Sequence, residues 1–228
     1  MDICDFHSHI MPGADHGCTS VDEAIAQLRL AKRCGVTRVV STSHFYPHKD
    51  SVSSFLERRD AAYAAIVERG EADLPEIRLG AEVLLCANMD ELPELDKLCI
   101  NGTKTILVEL PFNDFGNEYV RAVEGMVQQG YEVILAHAEC YKPQNVEKVL
   151  SVGALVQLNA SALISFFRKR RVFNSWMQMR RIVALGSDIH GIDKRSYKNF
   201  RRACRRLGEY AEYLKLKSDA IWDESSPI

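Results

Sequence analysis

Seven short apolar runs in this chain each end on a side chain able to bind a cation or polarise a substrate, and that repetition limits the folds open to it. The first run ends in Asp5-Phe6-His7-Ser8-His9, the second, Val36 to Thr42, in Ser43-His44, and the third, Ile77 to Ala81, in Glu82. Thr105 to Val108 leads into Glu109, Glu132 to Ala136 into His137, Ala154 to Leu158 into Asn159, and Ile182 to Ser187 into Asp188-Ile189-His190. Helix signals lie between the runs. Ser20-Val21-Asp22-Glu23 is a capping box whose helix closes at Gly35, and Ser54-Phe55-Leu56-Glu57 repeats the pattern before a stop at Gly70. Further helices are expected over 118–129, 145–152 and, as one long element, 196–216.

Strands alternating with helices imply a parallel sheet of βα units. An open sheet gathers ligands at a switch point served by a few strands, whereas a closed barrel collects them from every strand end on one face. Polar residues at all seven ends favour the barrel. A full eight-fold barrel typically takes about 250 residues. At 228 residues, the expected fold is therefore α/β, a distorted seven-stranded (β/α)7 TIM-like barrel. No composition break or low-complexity linker interrupts the order, so residues 1–228 are expected to form a single domain.

The formal net charge of −2 carries no global signal for nucleic acid or for acidic substrates. Arg201, Arg202, Arg205 and Arg206 make one helix face basic, but few aromatic side chains accompany them, and nucleic acid is not the expected partner. The seven cysteines are odd in number and lack paired spacing, which suits reduced thiols in the cytoplasm. Met1-Asp2-Ile3-Cys4-Asp5 has acids where a secretory signal would be basic, and no apolar run approaches the roughly 18 residues that span a bilayer. A cytoplasmic protein without membrane insertion is expected.

The strand ends and the loop after the first of them supply His7, His9, His16, His44, Glu82, Glu109, His137, Asp188 and His190. Any one of these histidines would suit a satisfied core position, and either glutamate a strand-end salt bridge. One shared site accounts for all of them together. Nitrogen and oxygen ligands without thiolate suit manganese, iron or zinc. A single catalytic ion usually takes three protein ligands and keeps a position open, so this set implies two or three divalent ions. Adjacent divalent ions lower the pKa of a bound water and neutralise phosphate oxygens during displacement, which points to phosphoester hydrolysis.

The segments Asp5-Phe6-His7-Ser8-His9, Ser41-Thr42-Ser43-His44, Gly80-Ala81-Glu82, Val108-Glu109-Leu110-Pro111-Phe112, Ala136-His137-Ala138-Glu139 and Gly186-Ser187-Asp188-Ile189-His190 carry a resemblance. Together, and in order, they resemble the polymerase and histidinol phosphatase (PHP) superfamily. Within it the chain is most similar to the bacterial protein-tyrosine phosphatases of capsule and exopolysaccharide clusters. The resemblance implies a distorted seven-stranded barrel of the PHP type, a trinuclear centre of manganese type with iron or zinc as alternatives, and phosphate-binding arginines. It also implies a substrate: the phosphotyrosine-bearing C-terminal tail of a bacterial tyrosine kinase that controls polysaccharide export. Arg195, five residues after His190, matches one family arginine.

Two departures stand out. Asp15-His16-Gly17 replaces an Asp-Asp-Gly turn, leaving either His16 or Asp15 as the ligand there. Cys140 replaces the other family arginine, and Phe166-Phe167-Arg168-Lys169-Arg170-Arg171 is a candidate substitute. Asp15 and His48 are candidate general acids. The competing functions are a small-metabolite phosphatase such as a histidinol-phosphate phosphatase, a non-catalytic metal-binding regulator and a nuclease.

Overall fold

The structure, a computed structural model, describes residues 3–112, 115–165, 170–192 and 194–224. Its elements run β1 (Ile3–His9), α1 (Val21–Arg33), β2 (Val36–Ser41), β3 (His44–Phe45), α2 (Val52–Glu68), β4 (Glu76–Leu79), β5 (Glu82–Leu84), β6 (Thr105–Glu109), α3 (Asn117–Gln128), β7 (Glu132–Leu135), α4 (Pro143–Ser151), β8 (Leu155–Asn159), α5 (Ala160–Ser165), α6 (Arg170–Gln178), β9 (Ile182–Gly186), β10 (Ile189–His190), α7 (Lys194–Leu207) and α8 (Tyr210–Glu224). The Ser20 side chain caps α1 by accepting the Glu23 N–H, as the capping box requires. The second helix begins earlier than expected, because Ser51 rather than Ser54 is its cap and accepts the Ser54 N–H. The expected single C-terminal helix is two, α7 and α8, separated at Gly208, whose φ of +56° leaves the helical region. Helices α5 and α6 were not signalled by periodicity.

The strands pair in parallel throughout, but not as one closed seven-stranded barrel. The described residues form ten strands in two sheets, ordered β10-β1-β2-β4 and β3-β5-β6-β7-β8-β9. The difference lies near the strand ends: three of the expected strands are each broken in two there. At the third run, Gly80 turns its carbonyl to the buried Arg59 guanidinium, 3.3 Å away, instead of to a neighbouring strand. At the seventh, Asp188 takes φ +52° and interrupts the extended backbone between β9 and β10. Single backbone bonds continue across the gaps, from Thr42 N–H to Ser8 O (2.8 Å), Glu82 N–H to Ser43 O (3.0 Å) and Asp188 N–H to His7 O (2.8 Å).

Two apolar clusters hold these layers. The larger lies where the strands meet the helices, with Leu28, Phe45, Phe55, Val108, Leu135, Leu158 and Phe200 among its members. The smaller draws Phe6, Val40, Leu107, Ile134 and Val183 from five strands of both sheets, with Ile221 and Trp222 of α8 packed into it. Burying a side chain of this size contributes about 1.5–3 kcal/mol. The polar residues thus sit on an apolar base, His9, Glu109, Asn159 and His190 closing their parallel strands, and His44 and Glu82 opening the short strands β3 and β5 that follow β2 and β4.

Candidate metal centre

Alternation along a strand puts His7 and His9 on the same side of β1, and both are fully buried. Their Nε2 atoms are 3.1 Å apart and both face Glu82, the first residue of β5. Glu82 Oε2 lies 3.1 Å from His7 Nε2, 3.3 Å from His9 Nε2 and 3.1 Å from His44 Nδ1. Its other oxygen is 2.7 Å from His137 Nε2. Glu109 Oε1 stands 3.8 Å from His44 Nδ1 and Oε2 stands 3.9 Å from His137 Nε2. Asp188 Oδ1 is 3.6 Å from both β1 imidazoles and 3.5 Å from His190 Nδ1, and His190 Nε2 is 3.5 Å from His44 Nε2.

Eight of the nine expected ligands therefore converge by direct contact of nitrogen and carboxylate atoms. His16 joins them by ring stacking, 4.6 Å from the centroids of both His44 and His190. Among the described residues, His9–His44–His190, His7–His9–Asp188 and His44–Glu82–Glu109 each bring three ligand atoms within 4.8 Å of one another. His137 and His16 lie beside these triads rather than in them. Arg195 falls in the first turn of α7, directly after β10, and its side chain lies outside the described residues, as do positions 166–169 of the basic segment.

The donor set fits divalent cations. Glu82 Oε2 has three imidazole nitrogens around it yet makes no hydrogen bond of acceptable geometry, and His44 Nδ1 and His137 Nδ1 are likewise unsatisfied. Buried polar atoms left this way cost free energy unless something occupies their lone pairs. The carboxylates and imidazoles of the site shift one another strongly. Burial would lower the His7 imidazole, but the Glu82 and Asp188 carboxylates override it and hold it at about 9. Burial also opposes ionisation of Glu82, and the surrounding imidazoles nonetheless hold it well below the usual carboxylate range. Glu109, buried beside the Glu82 charge, is pushed up to about 7. The backbone is strained at two of these positions: His137 at φ +32° and Asp188 at φ +52° occupy a region that side-chain-bearing residues rarely adopt.

A second layer fixes which nitrogen each imidazole presents. Asp15 Oδ2 takes His9 Nδ1 at 2.7 Å and the His44 N–H at 2.9 Å, while Oδ1 accepts the Gly17 N–H at 2.8 Å. Burial would raise Asp15, but the His9 imidazole and these N–H donors hold it well below the carboxylate range, which suits a group that orients His9. In the Asp15-His16 pair, Asp15 bonds to the His9 ring and to two backbone N–H groups, while the His16 ring stacks on the imidazole cluster. His48, the other candidate acid, is an exposed residue whose ring contacts Tyr46. Gln157 on β8 was missed by sequence reasoning. Its Oε1 accepts the His137 N–H at 2.7 Å and lies 3.1 Å from His7 Nδ1, and its amide donates to Asn159, which in turn donates to Asp188 Oδ2. The available signal was a glutamine two residues before Asn159 inside an apolar strand, hence on the same face. Replacing Gln157 with leucine is expected to weaken divalent-ion binding by about 10–100-fold without unfolding the protein, as read by metal titration alongside circular dichroism.

Comparison with known proteins decides the relationship: the profile of the capsular polysaccharide synthesis CpsB/CapC family matches residues 3–213. The chain belongs to the CpsB/CapC family. Its relatives include the Bacillus subtilis (strain 168) tyrosine-protein phosphatase YwqE, 24% identical over 206 residues that cover 86% of this chain and 80% of YwqE. The Streptococcus pneumoniae tyrosine-protein phosphatase CpsB is 26% identical and the match covers 85% of each chain. The putative tyrosine-protein phosphatase CapC of Staphylococcus aureus is 27% identical, with 93% of this chain and 89% of CapC covered. The fold matches a chain from the crystal structures of YwqE and S. pneumoniae CpsB, described as unique metal-dependent tyrosine phosphatases, with a TM-score of 0.80 at 20% identity over 99% of this chain and 96% of that one. In this CpsB/CapC chain no helix among the described residues is long and apolar enough to cross a membrane.

Proposed function

We propose that this chain is a metal-dependent protein-tyrosine phosphatase acting on the phosphotyrosine-bearing C-terminal tail of a bacterial tyrosine kinase in capsule or exopolysaccharide synthesis. The observation that carries the reading is the convergence of four imidazoles and three carboxylates in overlapping triads on one face, with His137 and His16 beside them and buried polar atoms left unsatisfied. The names of the relatives supply the substrate class. The two sheets are read as the halves of one distorted seven-stranded barrel, since β2 leads into β3, β4 into β5 and β9 into β10. A single catalytic domain over 1–228 and a cytoplasmic setting go with this reading.

His7, His9, His16, His44, Glu82, Glu109, His137, Asp188 and His190 would hold two or three divalent ions, manganese first among them. Ions bound there supply activation of water and neutralisation of phosphate charge. Glu82, whose Oε2 faces His7, His9 and His44 and whose Oε1 faces His137, would be a ligand shared among them. Asp15 and Gln157 hold the Nδ1 faces of His9 and His7, so that both Nε2 lone pairs point inward. Arg195 is assigned to the phosphate oxygens, where a guanidinium fork donates two parallel hydrogen bonds. Tyrosinate, with a parent pKa near 10, leaves readily enough that no dedicated acid is required, in keeping with Asp15 being held ionised.

The test is phosphate release from a phosphotyrosine peptide by purified protein supplied with manganese, beside a chelated sample and a parallel assay on histidinol phosphate. Release from the peptide that disappears on chelation and returns with manganese is expected. Metal-replete protein that leaves the peptide intact while cleaving histidinol phosphate would instead establish the metabolite phosphatase.

A further inference from the structure

Ring-bearing side chains line one arc of the lip above the metal centre. Tyr46 follows β3, Phe112 follows β6 and Tyr141 follows β7, and in the six-stranded sheet these strands lie on one side, in the order β3-β5-β6-β7. Tyr46 stacks on His44, with centroids 5.3 Å apart and planes at 15°. Tyr141 is buried, its ring 5.5 Å from that of His137, and its hydroxyl accepts the Leu110 N–H at 3.0 Å. Phe112 leans on the outer side of Tyr141, centroids 5.7 Å apart, and is 74% exposed. A scattered exposed apolar side chain needs no explanation. This one sits three residues beyond Glu109, on a ladder of rings that ends on an imidazole of the centre.

We propose that Phe112, with Tyr46 on the same arc, receives the phenyl ring of an aryl phosphate and makes the site prefer phosphotyrosine to alkyl phosphates. The inference rests on the phosphatase reading and deepens it. A phosphoryl group held at the imidazole and carboxylate cluster leaves its ester substituent pointing out over the lip. A phenyl substituent there can meet Phe112 edge-on or offset, the arrangements aromatic pairs favour, whereas an alkyl substituent offers no ring face. The contact is remote from phosphorus and of similar strength before and during reaction, so it acts on KM rather than on kcat.

The experiment compares wild type with Phe112→Ala, Phe112→Leu and Phe112→Tyr on a phosphotyrosine peptide, with inorganic phosphate as competitive inhibitor. Phe112→Ala is expected to raise KM about tenfold with kcat and the phosphate inhibition constant unchanged. Phe112→Tyr should restore KM and Phe112→Leu should restore it only in part. An activity-free arm measures binding by calorimetry. Wild type should bind phenylphosphonate more tightly than methylphosphonate, and in Phe112→Ala most of that difference should be lost. An unchanged KM in Phe112→Ala, a parallel rise in the phosphate inhibition constant, or equal phosphonate binding by wild type would each overturn the proposal. Failure of wild type to cleave the peptide bears on the phosphatase reading instead, and the phosphonate arm still decides the ring contact.

Discussion

Replacing Glu82 with alanine is expected to strip the purified protein of its divalent ions and to lower hydrolysis of a phosphotyrosine peptide by roughly 10³-fold or more, because several kcal/mol of transition-state stabilisation goes with the ions. Among the described residues, Glu82 is the one side chain within 3.3 Å of His7, His9, His44 and His137 together. Removing it leaves four imidazoles with no central anion, and a cation placed among them loses the ligand that all of its neighbours share. Glu82→Gln keeps the shape and removes the charge, so it should share most of the loss, which separates electrostatics from packing. Metal content by elemental analysis and initial rates at saturating manganese measure the two effects. Stoichiometric metal in Glu82→Ala would mean that the ions sit elsewhere.

The second large effect is expected at a residue with no side chain. Gly186 ends β9 against the back of the centre, and a Cβ built there would stand 2.4 Å from His7 Cβ and 2.5 Å from Gln157 Nε2. His7 Cβ is fixed by β1, so the strand itself has to move. Gly186→Ala should cost about 1–3 kcal/mol as an overpacked core site. It should also disturb at once a ligand and the glutamine that orients it, so metal affinity should fall further than stability alone requires. Thermal melts with and without manganese give the two numbers. Wild-type melting in both conditions would show that β9 yields at no cost, contrary to its packing.

The parts of this protein legible in its sequence are those set by local rules. Short apolar runs with polar ends located the side chains that converge, because successive parallel βα units bring the residues around their strand ends to one face whatever the details of closure. Ser20 announced α1 because a cap needs only its own four residues. The breaks at Gly80 and Asp188 were not legible, since each depends on something far away in the chain: the Arg59 guanidinium in one case and the docking of β10 against β1 in the other. The second layer was illegible for a related reason. Spacing marks Asp15 as a ligand or an acid, and only the fold shows the three hydrogen bonds by which it holds the His9 ring and two backbone N–H groups. Gln157 was hidden by its setting, an amide inside a run whose other members are apolar.

The pairing of β1 with β10, Ser8 beside Ile189 and His9 beside His190, has a temporal side. Protein synthesis proceeds from the amino terminus, so the strand bearing His7 and His9 emerges long before the partner that flanks it, and its edge waits unpaired while some 180 residues are added. Contacts of such sequence separation form slowly, and an uncovered strand edge invites pairing with other chains. The ligand set is complete only after that last seam closes. Divalent ions that bind the finished centre more tightly than the waiting chain would pull the equilibrium toward closure by mass action. Supply of metal during growth should therefore govern how much of this protein accumulates in native form, as well as how fast the finished enzyme works.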